Sequence, residues 1–371
     1  MVAHIEKRNL KRNDSIQGLR AIAFIAIFIS HTGLADLGAL GAWGVSVFFV
    51  MSGFLMMYNY FKRENTPSFG FSFTWGKIKK LYPLHIFTML LAARYALTVS
   101  GDLPKTLLDV GIHTFLVQMW IPHTKYFSTL NGPSWYLCTS IFLYLCFPFV
   151  LKFFKKHMTV KKSYVWLIIL FVLQTALTVC TFIWGNDDKE AWFSTKWLLY
   201  FFPPARFIDF SIGCGLGYLA LFAHEKKVYK KSNNALTVLF EILVSALIVI
   251  SVYIYTNQLG LLGSEAFKYS FLFIVTTVPL IWLVAVKKGF ISKILSIKFL
   301  VKLGDLSPYT FLIHGVVLKY VSLLMFLIFN IECTVLNSFI SFVLTVASAI
   351  IWINCEKFIS KWYLNHKKPN K

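Results

Sequence analysis

The sequence predicts an all-α, polytopic membrane protein with about ten transmembrane helices, and three observations carry that prediction. Of the 371 residues, 57% are hydrophobic and only 14% charged, where a soluble domain carries about 25% charged residues. Apolar runs of about 17–23 residues, enough to cross a hydrocarbon core of about 30 Å as a helix, recur from end to end. The basic residues between those runs fall on alternate sides when the runs are numbered in order.

The first span, near 16–34, follows Lys7, Arg8, Lys11 and Arg12 and holds Arg20 and His31. It lacks a small-residue cleavage site and leads straight into a second long apolar segment, which argues against a removed signal peptide. The second span, near 43–61, ends at Lys62 and Arg63, and the third, near 82–100, opens after Lys77, Lys79 and Lys80. Spans four and five, near 134–153 and 163–184, are separated by Lys152, Lys155, Lys156, Lys161 and Lys162. The sixth, near 206–223, starts behind Pro203 and Pro204, and Lys226, Lys227, Lys230 and Lys231 divide it from the seventh, near 235–256. The eighth, near 269–286, is followed by Lys287, Lys288, Lys293, Lys298 and Lys302; the ninth and tenth lie near 306–329 and 335–355.

On this numbering 28 of the 37 lysines and arginines fall on one side and only Lys105, Lys125, Lys189, Lys196 and Lys268 on the other. The positive-inside rule then places both termini in the cytoplasm. A miscounted span would destroy the alternation. The net charge of +21 is therefore a membrane-topology signal, and no nucleic-acid partner is expected. Residues 1–371 read as one domain, a helical body at 16–355 between short basic ends at 1–15 and 356–371. No further domain is expected to follow the last span, so any partner completing its reaction would be a separate protein. Association with further copies of the chain is compatible with this reading.

The six cysteines, at 138, 146, 180, 214, 333 and 355, show no CxxC spacing and read as small buried hydrophobes. No glycine-rich phosphate loop, HExxH or GxSxG appears, and no metal is expected.

Ionisable residues inside spans are the natural site candidates. Arg20 and His31 stand eleven residues apart. At 100° per residue that is three turns plus about 20°, so both lie on one helix face, about 16 Å apart. Taken alone, Arg20 snorkelling to an interface and His31 ending the span would explain them equally well.

Six segments in order resemble integral-membrane acyltransferase family 3, the O-acyltransferases of surface glycans, antibiotics and lipids. They are Arg20 with His31; GAWGVSVFFVMSGFLM (41–56); KIKKLYPLH (77–85); NGPSWYLCTSIFLYLCFP (131–148); PPARFIDFSIGCGLGYL (203–219); and LGDLSPYTFLIH (303–314). Three positions depart from the family pattern. Lys77 and Lys80 replace arginines, keeping charge but losing the bidentate fork. Ser140 stands where many members carry glutamate, and Asp209 replaces glutamate after the membrane arginine, still able to pair with Arg206 three residues back.

The resemblance implies a membrane O-acyltransferase of the bacterial cytoplasmic membrane, most simply an O-acetyltransferase, taking an acyl group from acetyl-CoA to a hydroxyl on a surface or exported carbohydrate. It points to His31 as base, assisted by Arg20. The coenzyme's phosphates would bind Arg20, Lys77 and Lys80; lysines serving only as positive-inside charge against anionic lipid headgroups are the alternative. Arg206, Asp209, His314 and Trp135 are expected to hold the acceptor. Their alternatives are an Arg206–Asp209 pair that only holds the helix start, a core histidine and an interfacial aromatic belt. Ser52 and Gly53 are expected to permit close helix approach. A transporter or flippase with a buried Arg/His path, or an inactive acyltransferase-like protein, would share the intramembrane charges. Arg94 and Glu241 have no motif and no assigned role.

Overall fold

Apolar segments with little charge can satisfy their backbone in a bilayer only by closing it into helices, and the chain does so throughout. The computed structural model describes residues 13–34, 37–63, 71–188, 190–225, 234–269, 271–286, 289–329 and 334–366. Basic residues at 7–12, 189, 226–231, 287–288 and 367–371, and Cys333, lie outside the described residues.

The helices run α1 (Asp14–Ser30), α2 (Gly38–Tyr60), α3 (Phe71–Ile78), α4 (Tyr82–Ser100) and α5 (Leu103–Thr114). Then come α6 (Lys125–Ser128), α7 (Ser134–His157), α8 (Val160–Trp184), α9 (Pro203–Glu225) and α10 (Asn234–Thr256). The last are α11 (Glu265–Tyr269), α12 (Phe271–Val286), α13 (Phe290–Leu295), α14 (Lys298–Phe329) and α15 (Thr334–His366). No helix pair is bridged by a strand: among the described residues only two isolated β-bridges occur.

Among the described residues, eight stretches are long and apolar enough to cross a membrane: α2, α7, α8, α9, α10, α11 with α12, α14 and α15. The remaining two expected spans are also helices. α1 has only 17 residues, and α4 carries His85 and Arg94 within its 19. The polytopic all-helical class therefore stands, with α1 and α4 as the short or more polar members. α14 and α15 run past the apolar segments because helix continues into their charged flanks.

α2 and α9 pack closely along their length, and glycine allows it. A Cβ on Gly53 would lie 1.9 Å from the Phe210 carbonyl oxygen, and one on Gly213 the same distance from that of Val50. The small-residue reading of Gly53 is thus met by direct backbone approach. α1 packs between α2 and α14. α8 and α10 lie outside, exposing aliphatic faces that include Ile168, Val172, Leu239 and Val249 to the membrane.

Glu241, unassigned from sequence, accepts the Phe290 and Ile291 amides at 2.8 and 3.0 Å. It thereby caps the N-terminus of α13 from inside the bundle. The loop before α7 is also pinned. Asn131 donates to Thr88 Oγ1 at 2.9 Å and to the Leu312 carbonyl at 2.8 Å, and Lys319 donates to the Leu130 carbonyl at 2.7 Å. Five cysteines among the described residues are unpaired; Cys138 and Cys214 are buried and Cys146 is half-buried, but Cys180 on α8 and Cys355 on α15 are exposed, against the buried reading.

Candidate active site

Two cavities share the lining residue Phe311, and α1 contributes to both. One, about 340 Å³, is lined by Arg20 together with Ser52, Tyr60, Lys77, Ser140 and Ser307. The other, about 210 Å³, is lined by His31 and His314 with Trp135, Lys196, Tyr200 and Tyr269. Phe311 lines both. Its ring lies 5.8 Å from Phe48, 5.4 Å from Tyr136 and 5.7 Å from His314, centroid to centroid, so an aromatic wall separates the two spaces.

The Arg20 cavity combines cations with unused hydroxyls. Arg20 approaches Gln17 Oε1 at 3.4 Å. The Lys77 ammonium sits 4.4 Å from the Tyr60 ring centroid, and the Arg63 guanidinium lies 4.2 Å from the same ring, so two cations flank one cavity-lining tyrosine. The buried hydroxyls of Ser140 and Ser307 have no hydrogen-bond partner. Orphaned buried polar groups are rare, and here they face a space. Cations at the mouth and hydroxyls along the wall suit a ligand with phosphates at one end and an amide-bearing arm at the other.

In the His31 cavity the two imidazoles lie edge to face with centroids 5.2 Å apart. His31 Nδ1 is 2.7 Å from the Ile27 carbonyl oxygen, and His314 Nδ1 is 2.7 Å from that of Phe311. A carbonyl only accepts, so each Nδ1 carries the hydrogen and each neutral ring presents a lone pair at Nε2. His314 Nε2 is buried without a partner; His31, capping the end of α1, opens to the cavity.

Arg206 stands behind this wall. It donates to the Tyr200 carbonyl at 2.8 Å, to the Tyr269 carbonyl at 3.0 Å and to Asp209 Oδ2 at 2.7 Å. Its guanidinium is 4.8 Å from the Tyr200 ring centroid. Both tyrosines line the His31 cavity, so Arg206 fixes a cavity wall while its side chain and that of Asp209 stay fully enclosed.

The sequence profile of a family described as an acyltransferase domain matches residues 13–353. The chain belongs to this family, acyltransferase family 3.

Among curated relatives, the acyltransferase MdmB of Streptomyces mycarofaciens is 28% identical over 228 residues, 54% of this chain and 56% of that protein. The peptidoglycan O-acetyltransferase OatA of Listeria monocytogenes is 25% identical over 315 residues, 81% of this chain and 48% of the relative. An O-acetyltransferase OatA of Staphylococcus aureus is 23% identical over 329 residues, 83% of this chain and 51% of the relative. The chain thus spans about half the length of the curated relatives it matches. No solved structure gives a significant match.

Against the expected site of this acyltransferase domain, the structure divides the candidates. Arg20 and Lys77 share one cavity; His31, His314 and Trp135 share the other. Lys80 is exposed in the turn after α3 and does not line the Arg20 cavity. Arg206 and Asp209 support the His31 cavity from behind without lining it. Sequence reasoning missed Lys196 and Tyr200, which share one turn, and Tyr269, none of which lies in a motif; it also passed over Phe311, although that residue lies within the 303–314 motif. Among the described residues no cluster of His, Cys, Asp and Glu could hold a metal ion.

Proposed function

We propose that the chain is an O-acyltransferase, most simply an O-acetyltransferase, moving an acyl group from cytoplasmic acyl-CoA to a hydroxyl of a surface or exported carbohydrate. One observation carries this reading: a cationic cavity and a two-histidine cavity back onto opposite sides of the same residue, Phe311. The relatives named as O-acetyltransferases give it support.

The donor's phosphates bind at Arg20 and Lys77, with the positive-inside pattern placing that mouth and both termini in the cytoplasm. The arm extends along Ser307 and Ser140 toward Phe311. Arg20 and His31 are about 16 Å apart along α1, so an extended arm brings the thioester to the wall beside His31. With the Phe311 ring turned aside so that the two cavities join, an acceptor hydroxyl in the His31 cavity gives its proton to His31 Nε2 as its oxygen attacks the thioester carbon. The carbon–sulfur bond breaks, and the imidazolium returns the proton to the leaving thiolate. His314, with Nδ1–H already engaged, can only accept at Nε2; it therefore orients an acceptor hydroxyl and does not polarise the carbonyl. Trp135 offers an apolar face to the sugar ring.

Mass spectrometry of surface glycans from matched bacterial cells expressing wild type, His31→Ala or no protein tests the reading. An acetyl mark present with wild type alone is the expected result. Acetylation by His31→Ala at equal protein level would remove the base assignment, and no acetyl mark on any glycan would remove the carbohydrate acceptor. Acetyl-CoA should also raise the thermal stability of purified protein, by about 2.7 kcal/mol at a hundredfold excess over its Kd.

A further inference from the structure

The Arg20 cavity has an aromatic floor, and the floor limits what a thioester arriving there can carry. On α2 the residues Phe48, Ser52, Met56 and Tyr60 all line this cavity. Their spacing of four puts them along one side of the helix, and twelve residues at about 1.5 Å of rise make the stripe about 18 Å long. Tyr60 marks the mouth, where its ring centroid lies 4.4 Å from the Lys77 ammonium. Phe48 marks the far end. There three rings close on one another: Phe48 to Phe311 at 5.8 Å, Phe48 to Tyr136 at 5.9 Å and Tyr136 to Phe311 at 5.4 Å, centroid to centroid.

Two of the three rings are held from behind. The Tyr136 hydroxyl donates to the Phe48 carbonyl at 3.3 Å, tying α7 to α2. Beneath them the Phe49 ring lies 4.7 Å from that of Tyr136 and 5.9 Å from that of Trp135. The Arg206 guanidinium is 5.4 Å from the centre of Phe49. Phe49 and Arg206 are fully enclosed, and an interior packed to native density has no slack for a neighbour to move into. Phe311 comes from α14 and is the ring that turns aside to join the two cavities; Phe48 and Tyr136 stay.

We infer that Phe48, backed by Tyr136, sets the length of acyl group this enzyme transfers, admitting acetyl or propionyl and excluding longer chains. This rests on the acyltransferase reading given above. With the donor's phosphates at Lys77, an extended pantetheine arm runs the length of the α2 stripe, and the thioester carbonyl arrives beside Phe48. The cavity, at about 340 Å³, is near the lower end of the roughly 300–1,000 Å³ range of ligand sites, so the arm leaves little room beyond itself. An acceptor in the His31 cavity closes the other exit. The carbons beyond the carbonyl then lie against the Phe48 ring, and a longer chain has to displace a ring that Tyr136 and Phe49 hold in place.

The test uses the full chain in lipid nanodiscs with free CoA and with acetyl-, propionyl-, butyryl- and hexanoyl-CoA. The Kd of each ester, measured by isothermal titration, is divided by that of free CoA in the same variant, which cancels damage common to every ligand. In wild type, butyryl- and hexanoyl-CoA should bind at least about tenfold more weakly than acetyl-CoA, the discrimination one methylene gives in an apolar pocket. Phe48→Ala should bring that ratio toward one or reverse it. Phe48→Leu removes less of the ring, should give an intermediate ratio, and keeps the test decisive where the alanine variant does not fold. Tyr136→Phe, which keeps the floor ring, should retain the wild-type order. Equal binding of acetyl- and hexanoyl-CoA by wild type, or the wild-type order in a folded Phe48 variant, overturns the inference while leaving the acyltransferase reading intact. A Phe48-dependent order of binding, with no acetyl mark on any glycan of cells expressing wild type, would sustain the length limit and sink the carbohydrate-transfer reading. Failure of CoA and of every ester to bind would sink both.

Discussion

Replacing Arg206 with methionine separates a wall-holding residue from a substrate-binding one. In the folded protein its guanidinium serves two carbonyls and one carboxylate, at 2.8, 3.0 and 2.7 Å. Removal strands Asp209, whose Oδ1 is already buried without a partner. Breaking a buried ion pair from one side costs about 3–5 kcal/mol. Polar contacts within membranes average nearer 0.6 kcal/mol because the reference state also finds partners, so three such contacts set a floor of about 2 kcal/mol. We expect Arg206→Met to lose about 3 kcal/mol, more than a hundredfold in the folded-to-unfolded ratio. Arg206→Met combined with Asp209→Asn should recover about half of it, since the second change removes the stranded charge while leaving the Tyr200 and Tyr269 carbonyls unserved. Equilibrium unfolding of the purified protein in mixed micelles, followed by tryptophan fluorescence, measures the cycle. A variant as resistant to unfolding as wild type yet devoid of acyl transfer would refute the reasoning and return Arg206 to direct substrate contact.

Gly53→Ala forces a Cβ to within 1.9 Å of the Phe210 carbonyl oxygen; overpacking of this kind costs about 1–3 kcal/mol and should lower Tm, while Gly76→Ala, with open space at its Cβ, should not. Glu241→Ala strips two amides at the start of α13 of their acceptor and should cost about 1–2 kcal/mol in the same unfolding assay. His113, in the loop helix α5, donates from Nε2 to the Tyr126 carbonyl at 3.0 Å and accepts the Ser134 hydroxyl at Nδ1; burial pushes its pKa from 6.5 down to about 4. Between those two values the unfolded chain binds the extra proton, so stability should fall as pH drops from about 6.5 to about 4, by at most about 3 kcal/mol. A stability–pH profile as steep in His113→Asn as in wild type would exclude this source.

The fold was readable because its signal is compositional and long-range in sequence: apolar length, charged ends and alternating lysines. The site was readable only in part, and the reason is geometric. Helical periodicity predicts Arg20 and His31 on one face of the first span. It cannot tell that Phe311, nearly 300 residues away, divides that face between two cavities. Spacing also anticipates the Arg206–Asp209 pair, seen at 2.7 Å. The partners that give the pair its purpose, the carbonyls of Tyr200 and Tyr269, are backbone atoms and carry no sequence signature. Glu241 remained unexplained from sequence because its partners are amides 49 and 50 residues downstream. Lys77 and Lys80 look equivalent in the chain, yet the turn that ends α3 directs only Lys77 to the cavity.

Intramembrane polarity is a weak guide to function until the destination of each donor is known. Arg206, Glu241 and Lys319 spend hydrogen bonds on carboxylates, amides or carbonyls that hold helices and loops in place. Their burial is a property of the architecture, and substituting them should register first in stability. His31 and His314 differ in kind: each uses one ring nitrogen to fix its orientation and leaves the other toward a shared space. Ser140 and Ser307 likewise leave hydroxyls unmatched beside the Arg20 cavity. A buried group kept unsatisfied costs about 1–3 kcal/mol, and three of them, His314 Nε2 and the Ser140 and Ser307 hydroxyls, concentrate that cost around two adjoining cavities where the membrane gives no structural return. Ligands that supply the missing partners recover it, and the two sets face opposite sides of Phe311. The expected signature is that donor and acceptor analogues each stabilise the protein on their own, through different residues, with Ser140→Ala and Ser307→Ala altering only the response to donor.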